Sequence, residues 1–103
     1  MVNNFLARLS DTQEDVTLRE EKTYTILFYA KDQSFFIGLK DKDLVTARKE
    51  GEAALLDTLD ISKEDACKLR VSLTVPFSVS ENAAGVDYGL SFCPNGRSLP
   101  KDA

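Results

Sequence analysis

LRVSLTVPFSV, running from Leu69 to Val79, alternates Leu69, Val71, Leu73, Val75, Phe77 and Val79 with Arg70, Ser72, Thr74, Pro76 and Ser78. Side chains on a strand point to opposite faces in turn, so this pattern describes one apolar face backed by one polar face. A second alternation follows the loop Ser80 to Gly85, with Val86, Tyr88, Leu90 and Phe92 as its apolar members. Pairing Val79 with Val86 sets Phe77 beside Tyr88, Val75 beside Leu90 and Leu73 beside Phe92, an all-apolar register that a one-residue slip would destroy. The expectation is an antiparallel hairpin with one wet side.

A second hairpin is expected upstream. Thr23 to Ala30 and Phe35 to Leu39 are dense in strand formers, and Lys31, Asp32, Gln33 and Ser34 lie between them as a turn. Pairing Ala30 with Phe35 puts Phe28 opposite Ile37 and Ile26 opposite Leu39 on one side. On the other side Tyr29 meets Phe36, and Leu27 meets Gly38. Both faces of this hairpin therefore carry large apolar groups.

Between the hairpins, Asp43 to Leu59 reads as a helix, with Asp41 and Asp43 available as N-caps. At about 100° per residue, Leu44, Val45, Leu55, Leu56 and Leu59 share one arc, and Arg48 and Glu52 fall inside it one turn apart. The favoured reading of this pair is Arg48 snorkelling at the rim of the sheet with Glu52 as its surface mate; a polar site between sheet and helix is the alternative. Gly51, beside them, permits close packing or marks a bend. Ser62, followed by Asp65 and with Ile61 ahead of Ala66, resembles a capping box, so a short helical turn should feed the central strand. Pro76 lacks an N–H and places that strand at an edge or a bulge.

Residues 1 to 22 leave helix and strand open: Asn4 to Leu9 fits either, and Val16 and Leu18 alternate as a brief strand does. Pro94, Asn95 and Gly96 form a turn signal, after which 94 to 103 reads as a loose tail. The fold class expected is therefore α+β in one domain spanning 1–103. It consists of an antiparallel sheet of two hairpins in ββαββ order, one main helix on one face, and an N-terminal element.

The 103 residues suffice for one modest core, and 43% hydrophobic with 29% charged content is that of a folded domain. There is no run long enough to span a membrane, and Met1 to Ser10 lacks a secretory pattern, so a cytoplasmic location is expected. Cys67 and Cys93 match no metal or redox spacing. In the expected register they lie about five residues apart along the strands, too far to bridge, and both are read as free thiols.

With no histidine, the usual nucleophilic triads and zinc sites drop out, and the scattered glycines form no phosphate loop. Asp57 and Asp60 are the nearest thing to a Mg²⁺ or acid–base pair, and two carboxylates at a helix end are usually only solvated. No cofactor or metal is expected. A net charge of −4 disfavours binding to phosphate backbones or anionic membranes. Tyr24, Tyr29, Phe35 and Phe36 near Lys31 and Lys40 raise a base-stacking reading, but Asp32, Asp41 and Asp43 neutralise the lysines.

What remains is coverage. Four strands span nearly 20 Å, whereas one helix covers about 10 Å. If Asn4 to Leu9 and the turn after Ser62 are spent on the helix side, Leu27, Tyr29 and Phe36 are left uncovered, and an uncovered apolar cluster marks an interface; the competing reading is that Val16 and Leu18, or the N-terminal segment itself, fold over this patch. The expected function is a non-catalytic protein-interaction module, an adaptor or inhibitor, that self-associates through Leu27, Tyr29 and Phe36. The alternatives are an acidic nucleic-acid mimic using Glu50, Glu52 and Asp57, and a small-ligand binder built around Arg48 and Glu52.

Overall fold

The computed structural model describes residues 14–99. Three strands come first: β1 (Val16–Glu20), β2 (Tyr24–Tyr29) and β3 (Ser34–Leu39). They are followed by helix α1 (Leu44–Leu59), the single turn α2 (Lys63–Ala66) and strand β4 (Arg70–Thr74). Among the described residues the sheet has four strands in the order β1-β2-β3-β4. The class is α+β, with the order βββαβ in place of ββαββ. The Asn4 to Leu9 element lies outside the described residues.

The β2–β3 hairpin forms, but its closing pair is Tyr29–Ser34 where Ala30–Phe35 was expected. Every partner moves by two residues, so Phe28 lies opposite Phe35, Ile26 opposite Ile37 and Leu27 opposite Phe36. Two residues is one full side-chain period, and each side chain keeps the face it was assigned. The earlier closure follows from the turn itself. Gln33 takes a left-handed φ of 57°, its side-chain amide donates to the Ala30 carbonyl at 2.9 Å, and the Ser34 hydroxyl donates to Asp32 at 2.6 Å.

The sheet is mixed, and here the expectation of two antiparallel hairpins is corrected. β4 runs parallel to β3, with Phe35 beside Val71 and Ile37 beside Leu73. A 16-residue helix carries the chain back by about 24 Å, more than the length of a strand, so a strand laid beside β3 after it must run parallel. The hairpin partner Val86 to Phe92 forms no strand. Pro76 ends β4's ladder, and its carbonyl accepts from the Val79 and Ser80 amides in a turn. Beyond it, one oxygen of the Asp87 carboxylate takes the Leu73 amide, and the Tyr88 amide donates to the Leu73 carbonyl at 2.8 Å. Phe77, expected on the apolar face, is 68% exposed.

α1 begins as read, with the Asp43 side chain accepting from the Thr46 amide at 3.3 Å. It ends at Asp60, which adopts a left-handed conformation. Gly51 is the contact point with the sheet, since a Cβ there would lie 3.1 Å from the Ile37 side chain. Ser62 caps α2 through the Asp65 amide at 3.1 Å. The core lies between α1 and the Ile26, Phe28, Phe35 and Ile37 face, and Val75, Ala83, Tyr88, Leu90 and Cys93 complete it. Residues 75–99 thus share the helix side of the sheet.

Further expectations are corrected. Val45 is 71% exposed, whereas Arg48 and Glu52 are buried at 7% and 6%, so the pair is neither snorkelling nor a surface ornament. Cys67 and Cys93 are joined in a disulfide with their Cα atoms 5.5 Å apart. The strand register used to separate them does not exist; a turn in which the Cys93 amide donates to the Leu90 carbonyl swings Cys93 back to the end of α2. The segment from 94 to 99 is likewise no loose tail, since Arg97 donates its amide to the Tyr88 carbonyl and Leu99 packs against the core.

Candidate functional site

Two constellations remain after the core is assembled, one on each side of the sheet. The first is the face away from α1. Leu27 and Phe36 are directly opposed on β2 and β3, and the Tyr29 ring lies 6.2 Å from that of Phe36, tilted by 48°. Alternation places them together: β2 and β3 each spend one side on the core, and Leu27, Tyr29 and Phe36 occupy the other. Gly38 lets the Phe36 ring lie along the sheet, since a Cβ there would come within 3.0 Å of the ring. All three side chains are half-buried, neither sealed nor fully open. The four aromatics of the stacking reading do not share a surface. Tyr24 and Phe35 belong to the core under the helix, and only Tyr29 and Phe36 stand on the outer face.

The second constellation is the buried pair on α1. Arg48 Nε donates to Glu52 Oε2 at 3.2 Å, and Arg48 Nη2 donates to the carbonyls of Tyr88 and Gly89, each at 3.3 Å. Glu52 accepts from the Ser91 amide and from the Ser91 hydroxyl, each at 2.6 Å. The Arg48 guanidinium also stands over the Tyr88 ring, 5.8 Å from its centroid. Spacing of four along a helix brings the two charges together. Backbone carbonyls and an amide of a coil segment then give each charge the hydrogen bonds that burial demands. The arrangement ties residues 88–91 to the helix. Beside it lies a cavity of about 370 Å³, flanked by Val45, Lys49, Ser98 and Leu99.

The remaining sequence candidates take structural posts. Asp57 faces Arg19 at 3.5 Å, and Asp60 is the cap of α1. Hydrogen bonding to the Tyr24 side chain is the main cause that lifts the Arg19 guanidinium above its ordinary range. Glu50 accepts from the Thr23 hydroxyl at 2.9 Å, and Glu52, being buried, presents no charge to a partner. Among the described residues no group of three or more His, Cys, Asp or Glu is placed to hold a metal ion, and no helix is long and apolar enough to cross a membrane.

Sequence reasoning missed the disulfide and the part played by Ser91. The signal for the second was present in the charges at 48 and 52 on the apolar arc of the helix, which need hydrogen-bond partners beyond each other if they face inward. Comparison with protein-family models, with curated proteins and with solved structures finds no match for this chain.

Proposed function

We propose that this chain is a non-catalytic protein-interaction module whose contact surface is the Leu27, Tyr29 and Phe36 face, acting as an adaptor or inhibitor and associating with itself. The observation that carries this reading is the cross-strand pair Leu27–Phe36, extended by Tyr29, on the side of the sheet that the helix does not cover. Aromatic and aliphatic groups clustered on a rigid sheet supply contact area at little cost in side-chain freedom. Sedimentation of the wild type and of Tyr29→Asp, with a pull-down in parallel, tests it. Association that the substitution abolishes in a folded protein supports the reading. A wild type that is monomeric and captures nothing refutes it.

The cavity beside Arg48 and Glu52 favours a second reading, a small-ligand binder, because a charged pair and apolar walls adjoin it. Its weakness is that the pair is already committed to Tyr88, Gly89 and Ser91. The nucleic-acid mimic loses one of its three named carboxylates to burial. For location, the Cys67–Cys93 disulfide favours an oxidising compartment over the reducing cytoplasm that free thiols implied.

A further inference from the structure

We infer that the Leu27, Tyr29 and Phe36 face pairs with the same face of a second copy about a two-fold axis that runs along the strands between β2 and β3. This rests on the reading of that face as an interaction surface and adds the identity and orientation of its partner.

The charges at the two ends of one row across the sheet select this symmetry. Asp15 Oδ1 accepts from the Ala30 amide at 3.0 Å, next to Tyr29; Tyr29 pairs with Ser34, and Ser34 with Arg70. Asp15 and Arg70, both exposed, therefore sit at the two edges of the sheet at one height. A rotation about an axis along the strands keeps height and exchanges the edges, so Asp15 of each copy comes over Arg70 of the other. Leu27 and Phe36 also share a height, on β2 and β3, and the same rotation lays Leu27 on Phe36 twice. Such self-complementarity is what an isologous contact needs.

The competing two-fold, with its axis across the strands, is disfavoured by the same charges. It lays β1 over β1 with ends reversed, bringing Asp15 of one copy toward Glu20 of the other. Glu20 pairs with Thr25, whose methyl shares the Phe36 side of Gly38, so two carboxylates would oppose each other at both ends. Like charges brought together across an interface select against that docking. The other side of the sheet is taken by α1 and by residues 75–99. Within its own chain Arg70 also faces Asp32, and it remains exposed.

The contact is small. Four strands at about 4.8 Å and six residues at about 3.3 Å give roughly 400 Å² of sheet, below the roughly 800 Å² per partner of a standard interface. The dimer is accordingly weak and weakened further by salt.

The test is sedimentation equilibrium of the full chain at low salt, in a concentration series reaching about 1 mM, since interfaces of this size bind weakly. The proteins are wild type, Arg70→Glu, Asp15→Lys and the double variant, with Asp15→Asn added because it keeps the Oδ1 acceptor for Ala30 while removing the charge. Thermal melts verify that each is folded. The expected result is a wild-type dimer, a Kd raised by about tenfold in each charge reversal and by less in Asp15→Asn, and recovery to within about threefold in the double variant. Charge reversals without effect, or a double variant no better than either single one, overturn the proposed symmetry. If association then still depends on Tyr29, the interaction face stands and only its partner's orientation is wrong. A wild type that is monomeric throughout overturns the dimer, and the face itself is then judged by capture of another protein sensitive to Tyr29→Asp.

Discussion

Arg48 and Glu52 meet at 3.2 Å inside the protein, one helical turn apart, and both reach past each other to the backbone of residues 88–91. The ion pair is therefore the joint between the helix and a coil segment that has little ladder of its own.

Glu52→Ala should destabilise the protein by about 3–5 kcal/mol, because it leaves the Arg48 guanidinium buried without its counter-charge and strips the Ser91 amide of its acceptor. Urea unfolding followed by circular dichroism measures this. A loss under 1 kcal/mol would mean that water or another acceptor reaches the site.

The Cys67–Cys93 disulfide spans a sequence separation of 26 and stabilises by about 3.5 kcal/mol through the entropy it removes from the unfolded chain. The Cys67→Ser, Cys93→Ser double variant should have a lower unfolding midpoint than the wild type by a corresponding amount. Amide exchange should rise first in residues 88–97, which the bond and the Arg48–Glu52 pair hold together.

Gly96→Ala should destabilise by about 1–3 kcal/mol or more by overpacking. A Cβ at this position would stand 2.1 Å from the Leu90 carbonyl oxygen and 3.1 Å from that of Cys93. Both obstacles are backbone, so the 90–96 turn must open. Gly85→Ala serves as a comparison: nothing lies near its Cβ, and any effect there reflects its left-handed φ of 80° alone.

Asp32 accepts a hydrogen bond from the Ser34 hydroxyl, and this bond is the main cause that holds its carboxyl below the ordinary aspartate range, with a lesser contribution from Arg70. A depressed folded pKa contributes stability above the unfolded value that is lost as pH falls through the folded one. The Asp32 midpoint measured by NMR should lie below that of a free aspartate and move up in Ser34→Ala. An unchanged midpoint would contradict the assignment.

How much of this was legible from residues alone depends on the range of the interaction. The β2–β3 hairpin, the Asp43 and Ser62 caps and the faces of Leu27, Tyr29 and Phe36 follow from local alternation and capping chemistry, and they stand in the structure. The alternation of Val71, Leu73 and Val75 was also read with the correct inward face. Its partner was not, because Val86 to Phe92 carries the same period, while Gly89 at a φ of 62° and the Asp87 carboxylate replace a ladder with a coil. Parallel pairing follows from the length of α1, a constraint that local patterning does not contain. The disulfide and the Ser91 contacts depend on where that coil goes, and both were lost with the wrong partner. The Leu27, Tyr29 and Phe36 cluster was legible as a face, and its use as a contact surface is the proposal made above.

The most direct test of that proposal is a dilution series followed by NMR on the Leu27 methyls and on the rings of Tyr29 and Phe36, with the Leu55 and Leu59 methyls in the buried core as reference. The account predicts concentration-dependent shifts in the first set, absent in the second and abolished by Tyr29→Asp in a protein that stays folded. If the outer-face signals stay fixed at every concentration and no added protein partner moves them, the surface is not a contact site.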